Sequence, residues 1–211
     1  MLLLIFGLST GIISVDKDYT AHLSVDKLNE RIDFTQGFKE KEWGWSWNLL
    51  LIEKNLALGV KGLKGNEIKD LDSLLLDLSF DSKLIELGYA TEFSRIIFFL
   101  SGGGGYSSVN LKSVKEDETI DFGRSLTNPE GGISYKGSSF VLSASSGLIL
   151  AVSDYLGFGV SAGYLHGLRT PKMVLEGTEE IEILNAPQMP LHQWYVKFSV
   201  GIGDFAKVIG Q

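Results

Sequence analysis

The feature that most constrains this chain is a strict two-residue alternation, sustained over runs longer than an ordinary strand. In residues 156–168, LGFGVSAGYLHGL, Leu156, Phe158, Val160, Ala162 and Tyr164 share one face, and Gly157, Gly159, Ser161 and Gly163 share the other. With residues 140–152 on the far side of a tight turn at Ser153, Asp154 and Tyr155, the stretch reads as a hairpin of two long arms. Each arm runs well past the five or six residues usual in a globular strand. Alternating strands of roughly 9–11 residues or more, joined by short turns, are what a membrane-spanning β-barrel requires.

The same signal recurs along the chain. In EWGWSWNLLLI, Trp43, Trp45 and Trp47 fall on one face with Leu49 and Leu51, opposite Gly44, Ser46 and Asn48. In HQWYVKFSVGIGDF, Trp194, Val196, Phe198 and Val200 oppose Tyr195, Lys197 and Ser199. Indole and phenol rings favour the bilayer interface, so Trp43, Trp45, Trp47, Tyr164 and Trp194 are the expected aromatic girdle. Charges also sit inside strands on the opposite parity: Lys61, Asp77, Glu86, Glu92 and Lys197. A soluble core cannot face them inward cheaply, whereas a polar lumen can, and there they are expected to form ion pairs that plug the barrel.

About eight strands are expected, with ten as the upper count: 42–52, 56–64, 71–80, 84–93, 96–112, 138–152, 156–168 and 190–205. Turns are placed near residues 53–55, 81–83 and 94–95. The run Gly102, Gly103, Gly104, Gly105 lacks the Lys-Ser/Thr of a phosphate loop and marks a bend, a bulge or a close backbone approach. The two long polar connections, residues 113–138 and 169–190, then fall on the same end of the barrel, and the short turn at 153–155 on the other. The expected fold is all-β: a closed antiparallel up-and-down transmembrane barrel over residues 42–205.

Residues 1–14, MLLLIFGLSTGIIS, are too short for a spanning helix, which needs roughly 20 residues. They read as the apolar region of a secretory signal peptide, with a buried first strand as the alternative. Residues 15–41 are a polar lead-in, and 206–211 a tail. The formal net charge of −7 and the lack of a basic stripe argue against nucleic acid as a partner, and the absence of Cys removes disulfides and thiolate chemistry. His22, His166 and His192 form no nucleophile signature with a serine such as Ser161, so no catalytic residue is assigned. The acidic residues Glu176, Glu179, Glu180 and Glu182 lack a calcium-loop spacing, so neither a metal site nor a cofactor is expected.

The pieces RIIFFLSGGGGYSSVNLK, SGLILAVSDYLGFGVSAGYLHGL and WYVKFSVGIGDF resemble the small outer-membrane β-barrel superfamily, which includes the opacity-type proteins and the barrel of outer-membrane protein A. The resemblance implies a bacterial outer-membrane location, with outer-membrane lipid and the barrel-assembly machinery as partners. Members usually end on an aromatic residue read by that machinery; here residues 206–211 follow Phe205. The expected function is a structural, adhesive or narrow-transport barrel without enzymatic activity, its small-molecule ligand unidentified. The alternatives are a lipid-modifying enzyme of the outer membrane, and a soluble lipocalin-like carrier with its aromatic face turned inward.

Overall fold

The computed structural model describes residues 2–15, 41–71, 74–115, 133–169, 171–172, 174–175 and 191–209. A strand with one apolar and one small or polar face has backbone groups to satisfy on both edges, and only closure of the sheet satisfies them all. Eight long strands close in this way: β1 (Leu2–Val15), β2 (Lys41–Glu53), β3 (Leu56–Leu71), β4 (Leu74–Phe93), β5 (Ile96–Lys115), β6 (Ile133–Ala151), β7 (Leu156–Gly167) and β9 (Gln193–Gly203). Neighbours in sequence pair antiparallel throughout, and β9 returns to β1. β8 (Val174–Leu175) is a two-residue ribbon on the edge of β6 beyond the barrel, and a short helix, α1 (Ala206–Ile209), follows β9.

The register keeps one parity inside on every strand. Phe198 and Val200 face outward while Lys197 and Tyr195 are buried in the lumen, and Glu86 is buried between exposed Ile85 and Leu87. A lipocalin-like carrier, with its large apolar residues inside, would have the reverse arrangement. The outward face carries an apolar band: Leu56, Leu58 and Val60 on β3, Ile85 to Phe93 on β4, Phe98 and Leu100 on β5, and Leu142 to Leu150 on β6. Beyond it the same face turns polar, at Lys64, Lys83, Ser108 and Ser138. On β4 the band spans residues 85–93, within the roughly 9–11 residues that a tilted strand needs to cross a bilayer. The long strands β3–β6 therefore project past the band at the long-loop end, with an outer surface that is mostly polar, Ile68 excepted.

Three expectations are corrected. Residues 2–15 form a barrel strand and not a signal segment. β1 pairs along its length with both β2 and β9, and its side chains alternate between buried Leu3, Ile5, Ser9 and Ile13 and exposed Leu4, Phe6, Leu8 and Ile12. Apolar residues on both faces near its start hide this alternation in a one-dimensional reading. The barrel accordingly begins at Leu2, not at residue 42. Residues 16–40, most of the expected lead-in, lie outside the described residues and connect β1 to β2.

The expected turn at residues 81–83 is absent. β4 runs unbroken through it, with Ser82 fully buried and hydrogen-bonded to Ser107 at 2.6 Å. Nothing in Asp-Ser-Lys demands a reversal, and each residue keeps its place in the register with β3 and β5. One strand missed at the N-terminus and one counted twice leave the total at eight. The turn near 53–55 is real, but it lies at the short-turn end because β1 precedes it. That turn and the one at 94–95 use Lys54 (φ 56°) and Ser94 (φ 54°) in the left-handed region, which two-residue hairpin turns require.

Turns 54–55, 94–95 and 152–155, the start of β1 and α1 share one end. The strand ends that flank residues 16–40, 72–73 and 116–132, and those that flank the connection from β7 to β9, share the other; the two long polar connections themselves lie largely outside the described residues. The lumen is packed in layers. Toward the short turns, Leu3, Ile5, Ile52, Ala90, Ile97, Ile149, Phe205 and Val208 form one apolar cluster. Phe205 is locked there by its backbone N–H, which donates to the Asp154 carbonyl at 2.7 Å. Toward the long loops, Ile13, Leu63, Phe80, Leu84, Val109, Leu111, Leu165 and Leu191 form a second. A polar belt separates the two.

Candidate functional site

The belt arises where the inward parity changes from large apolar residues to glycine and serine. Glu86 on β4 is flanked in register by Gly59 on β3 and Gly103 on β5. Glycine on both sides leaves lumen volume, and longer side chains reach in from further round the barrel. A Cβ at Gly103 would run into the Ile85 carbonyl oxygen, so the glycine run in β5 is a close backbone approach.

Lys61 fills that space. Its ammonium meets Glu86 Oε1 at 2.5 Å, with both side chains less than a tenth exposed. It also donates to Tyr195 OH at 2.5 Å and to Ser145 Oγ at 3.2 Å. The second carboxylate oxygen, Glu86 Oε2, accepts from Ser101 Oγ at 2.7 Å and from Ser145 Oγ at 2.8 Å. A buried ion pair holds only when its remaining hydrogen-bonding capacity is met, and here three strands besides those of the pair supply the partners.

Lys197 lies in the same belt with different partners. Its ammonium donates to Ser46 Oγ at 3.3 Å, and Ser46 in turn shares a 2.6 Å hydrogen bond with Ser9. The Tyr195 ring lies beside both cations, its centroid 5.1 Å from Lys61 Nζ and 5.5 Å from Lys197 Nζ. A small cavity of about 60 Å³ is lined by Lys61, Glu86, Tyr195 and Lys197 together with Asn48, Ser161 and Ser199.

Of the five charges expected in the lumen, the structure brings Lys61, Glu86 and Lys197 together. Glu92 has inward parity but lies toward the short turns, next to Phe93 at the end of β4 and away from the belt. Asp77 is a correction. Because β4 is continuous, Asp77 and Glu86 fall on opposite faces; Asp77 has the outward parity, across from Lys112 of β5. Tyr195 and Ser46 have the lumen parity expected of them, but the sequence assigns them no role there and does not single out Ser101 or Ser145. Their signal was the serine and glycine on lumen parity at mid-strand, where a soluble core would carry apolar side chains.

All five residues expected in the girdle have outward parity. Trp43 and Trp45 are exposed, Trp47, Tyr164 and Trp194 are partly covered, and Tyr164 and Trp194 are register partners on β7 and β9. Four of them lie toward the long-loop end, whereas Trp47 sits deeper, opposite Leu8 of β1. His166 and His192 approach each other, their rings tilted with centroids 4.4 Å apart. Ser161 points into the lumen opposite Lys197, while His166 has the outward parity of the same strand, so the two do not meet as a nucleophile and base. Among the described residues, no group of three or more His, Cys, Asp or Glu side chains could hold a metal ion.

A closed eight-stranded up-and-down barrel with an apolar outer band and a polar belt within has the architecture of the small outer-membrane β-barrels. Solved structures bear out that likeness at the level of fold. Neisserial surface protein A is 8% identical over 95% of this chain and 96% of its own, with a TM-score of 0.56. A major outer membrane protein from Thermus thermophilus is 7% identical over 96% and 98%, with a TM-score of 0.55. The outer membrane protein OprG from Pseudomonas aeruginosa is 14% identical over 94% and 95%, with a TM-score of 0.52. No protein-family model matches the sequence, and no curated protein matches it significantly.

Proposed function

We propose that this chain is an integral barrel of the bacterial outer membrane, non-enzymatic, with a structural role and a lumen that does not conduct. The observation that carries the reading is the layered interior. An apolar cluster lies on either side of the Lys61–Glu86 belt, and Phe205 and Val208 pack into the cluster at the short-turn end. Eight strands enclose a space that side chains can fill, and the two clusters with the belt between them support a closed lumen that keeps one small cavity. The apolar outer band supports the membrane location, since a soluble protein would not leave so continuous a surface to water. Outer-membrane lipid is then the partner of the band, with Trp43, Trp45, Trp47, Tyr164 and Trp194 as its aromatic girdle. The barrel-assembly machinery is the partner in biogenesis, although Phe205, the last aromatic residue, is folded into the lumen.

The test combines cell fractionation with planar-bilayer conductance of the purified protein. Recovery in the outer-membrane fraction with no steady conductance is the expected result. A large, steady conductance would refute the closed lumen and favour narrow transport, and recovery in the soluble fraction would refute the membrane reading.

A further inference from the structure

The belt carries more positive than negative charge. Lys61 and Lys197 are both buried, while among the described residues Glu86 is the one carboxylate brought to them. Glu86 is already committed, one oxygen to Lys61 and the other to Ser101 and Ser145. Among the described residues Lys197, 8% exposed, makes no ion pair: its ammonium donates to the Ser46 hydroxyl, itself engaged with Ser9, and lies beside the Tyr195 ring, with Glu86 acting on it only through space. An ammonium held away from water is expensive without a counter-charge. The cavity it borders is about 60 Å³, room for a monatomic anion and not for a carboxylate metabolite, and it is lined by further donors in Ser161, Ser199 and Asn48.

We propose that this mid-lumen cavity is a binding site for a single small monovalent anion of halide size, with Lys197 as its principal ligand. Lys61, whose ammonium also lies beside the Tyr195 ring, adds to the field, and hydroxyl and amide donors complete the shell. Glycine at Gly11 makes the site possible: a Cβ there would overlap the backbone of Lys197, its register partner. The apolar clusters on both sides make exchange slow, so the anion is taken up as the barrel closes. The inference rests on the same buried belt as the closed lumen but does not need the barrel to be non-conducting.

The probe is bromide. The full chain is refolded in sodium bromide or in sodium gluconate at equal ionic strength, gluconate being too large for the cavity. Expected are a higher unfolding midpoint in bromide, and an anomalous diffraction peak beside Lys197 Nζ in crystals grown from that preparation. In Lys197→Met the midpoint difference between the two salts and the anomalous peak should both vanish. Ser161→Ala, a milder change, should shrink the salt difference while the barrel still folds. Equal wild-type midpoints in the two salts with no lumen peak would overturn the proposal. So would a salt difference of the same size in Lys197→Met. Conductance measured on the same preparations separates failure of this site from failure of the closed-lumen reading.

Discussion

Removing Lys61 should be among the most damaging single changes in the barrel. Lys61→Met keeps most of the side-chain volume but leaves the Glu86 carboxylate inside the lumen with only the Ser101 and Ser145 hydroxyls as partners. Both members of the pair are nearly inaccessible, at 6% for Lys61 and 5% for Glu86, so water cannot readily replace the ammonium. Breaking a buried pair from one side costs about 3–5 kcal/mol, much of it the desolvation of the charge left behind. Tyr195 OH also loses its donor, which adds to the loss. The double variant Lys61→Met with Glu86→Gln removes the uncompensated charge and should recover most of the stability, since replacing both partners of a buried pair is often close to neutral. The coupling energy from the cycle should then be about 2–4 kcal/mol. The assay is urea unfolding of the refolded protein in detergent micelles, followed by Trp fluorescence. A loss below about 1 kcal/mol for Lys61→Met, or strict additivity in the double variant, would refute the buried-pair account.

Three further outcomes follow from the same structure. Phe198→Arg places a charge on the outward face near mid-band and should destabilise the barrel by about 2–4 kcal/mol in lipid vesicles, whereas Ser199→Ala on the lumen face should change stability far less. Gly103→Ala should reduce the yield of folded barrel, read as loss of the heat-modifiable band on gels, because its Cβ meets the Ile85 carbonyl; Gly102→Ala, whose Cβ comes no closer than 3.6 Å to the Ser143 carbonyl oxygen, should fold normally. If the long connections face the cell exterior, as the short-turn, long-loop asymmetry of such barrels implies, protease added to intact cells should cut within residues 116–132 or 176–190 before it cuts at Ser153–Tyr155, and preferential cutting at the short turn would refute that orientation.

Much of the architecture was legible because a strand's two faces are written in residue parity. Alternation alone placed Trp43, Trp45, Trp47, Phe198 and Val200 together on one surface and Lys61, Glu86 and Lys197 on the other. It failed where parity is ambiguous or where a polar triplet imitates a turn. Leu2–Val15 is apolar on both faces at its start, because its inward residues enter the lower core and its outward residues join the apolar band, so it resembles a secretory signal. Asp81, Ser82 and Lys83 look like a turn but continue β4 into the part of the barrel beyond the apolar band, where an outward polar face is the rule. The false turn reset the parity count and put Asp77 on the wrong face.

The sequence by itself determined that the chain is a sheet of long strands with one apolar face, that its long connections share one end, and that charges lie within the strands. These are local properties, set by the alternation of side chains along an extended backbone and by where that alternation stops. Only the tertiary structure decided which face is inside, which strand closes the barrel, and which charge pairs with which. Register decides those, and register is a relation between strands that no single strand contains. Lys61 and Glu86 are 25 residues apart and meet diagonally across the β3–β4 pairing, with Gly59 and Gly103 giving them room. Lys197 matches their parity and lies in the same belt, yet its register partner is Gly11 of β1, and its ammonium reaches past that strand to Ser46 of β2 while Glu86 pairs with Lys61.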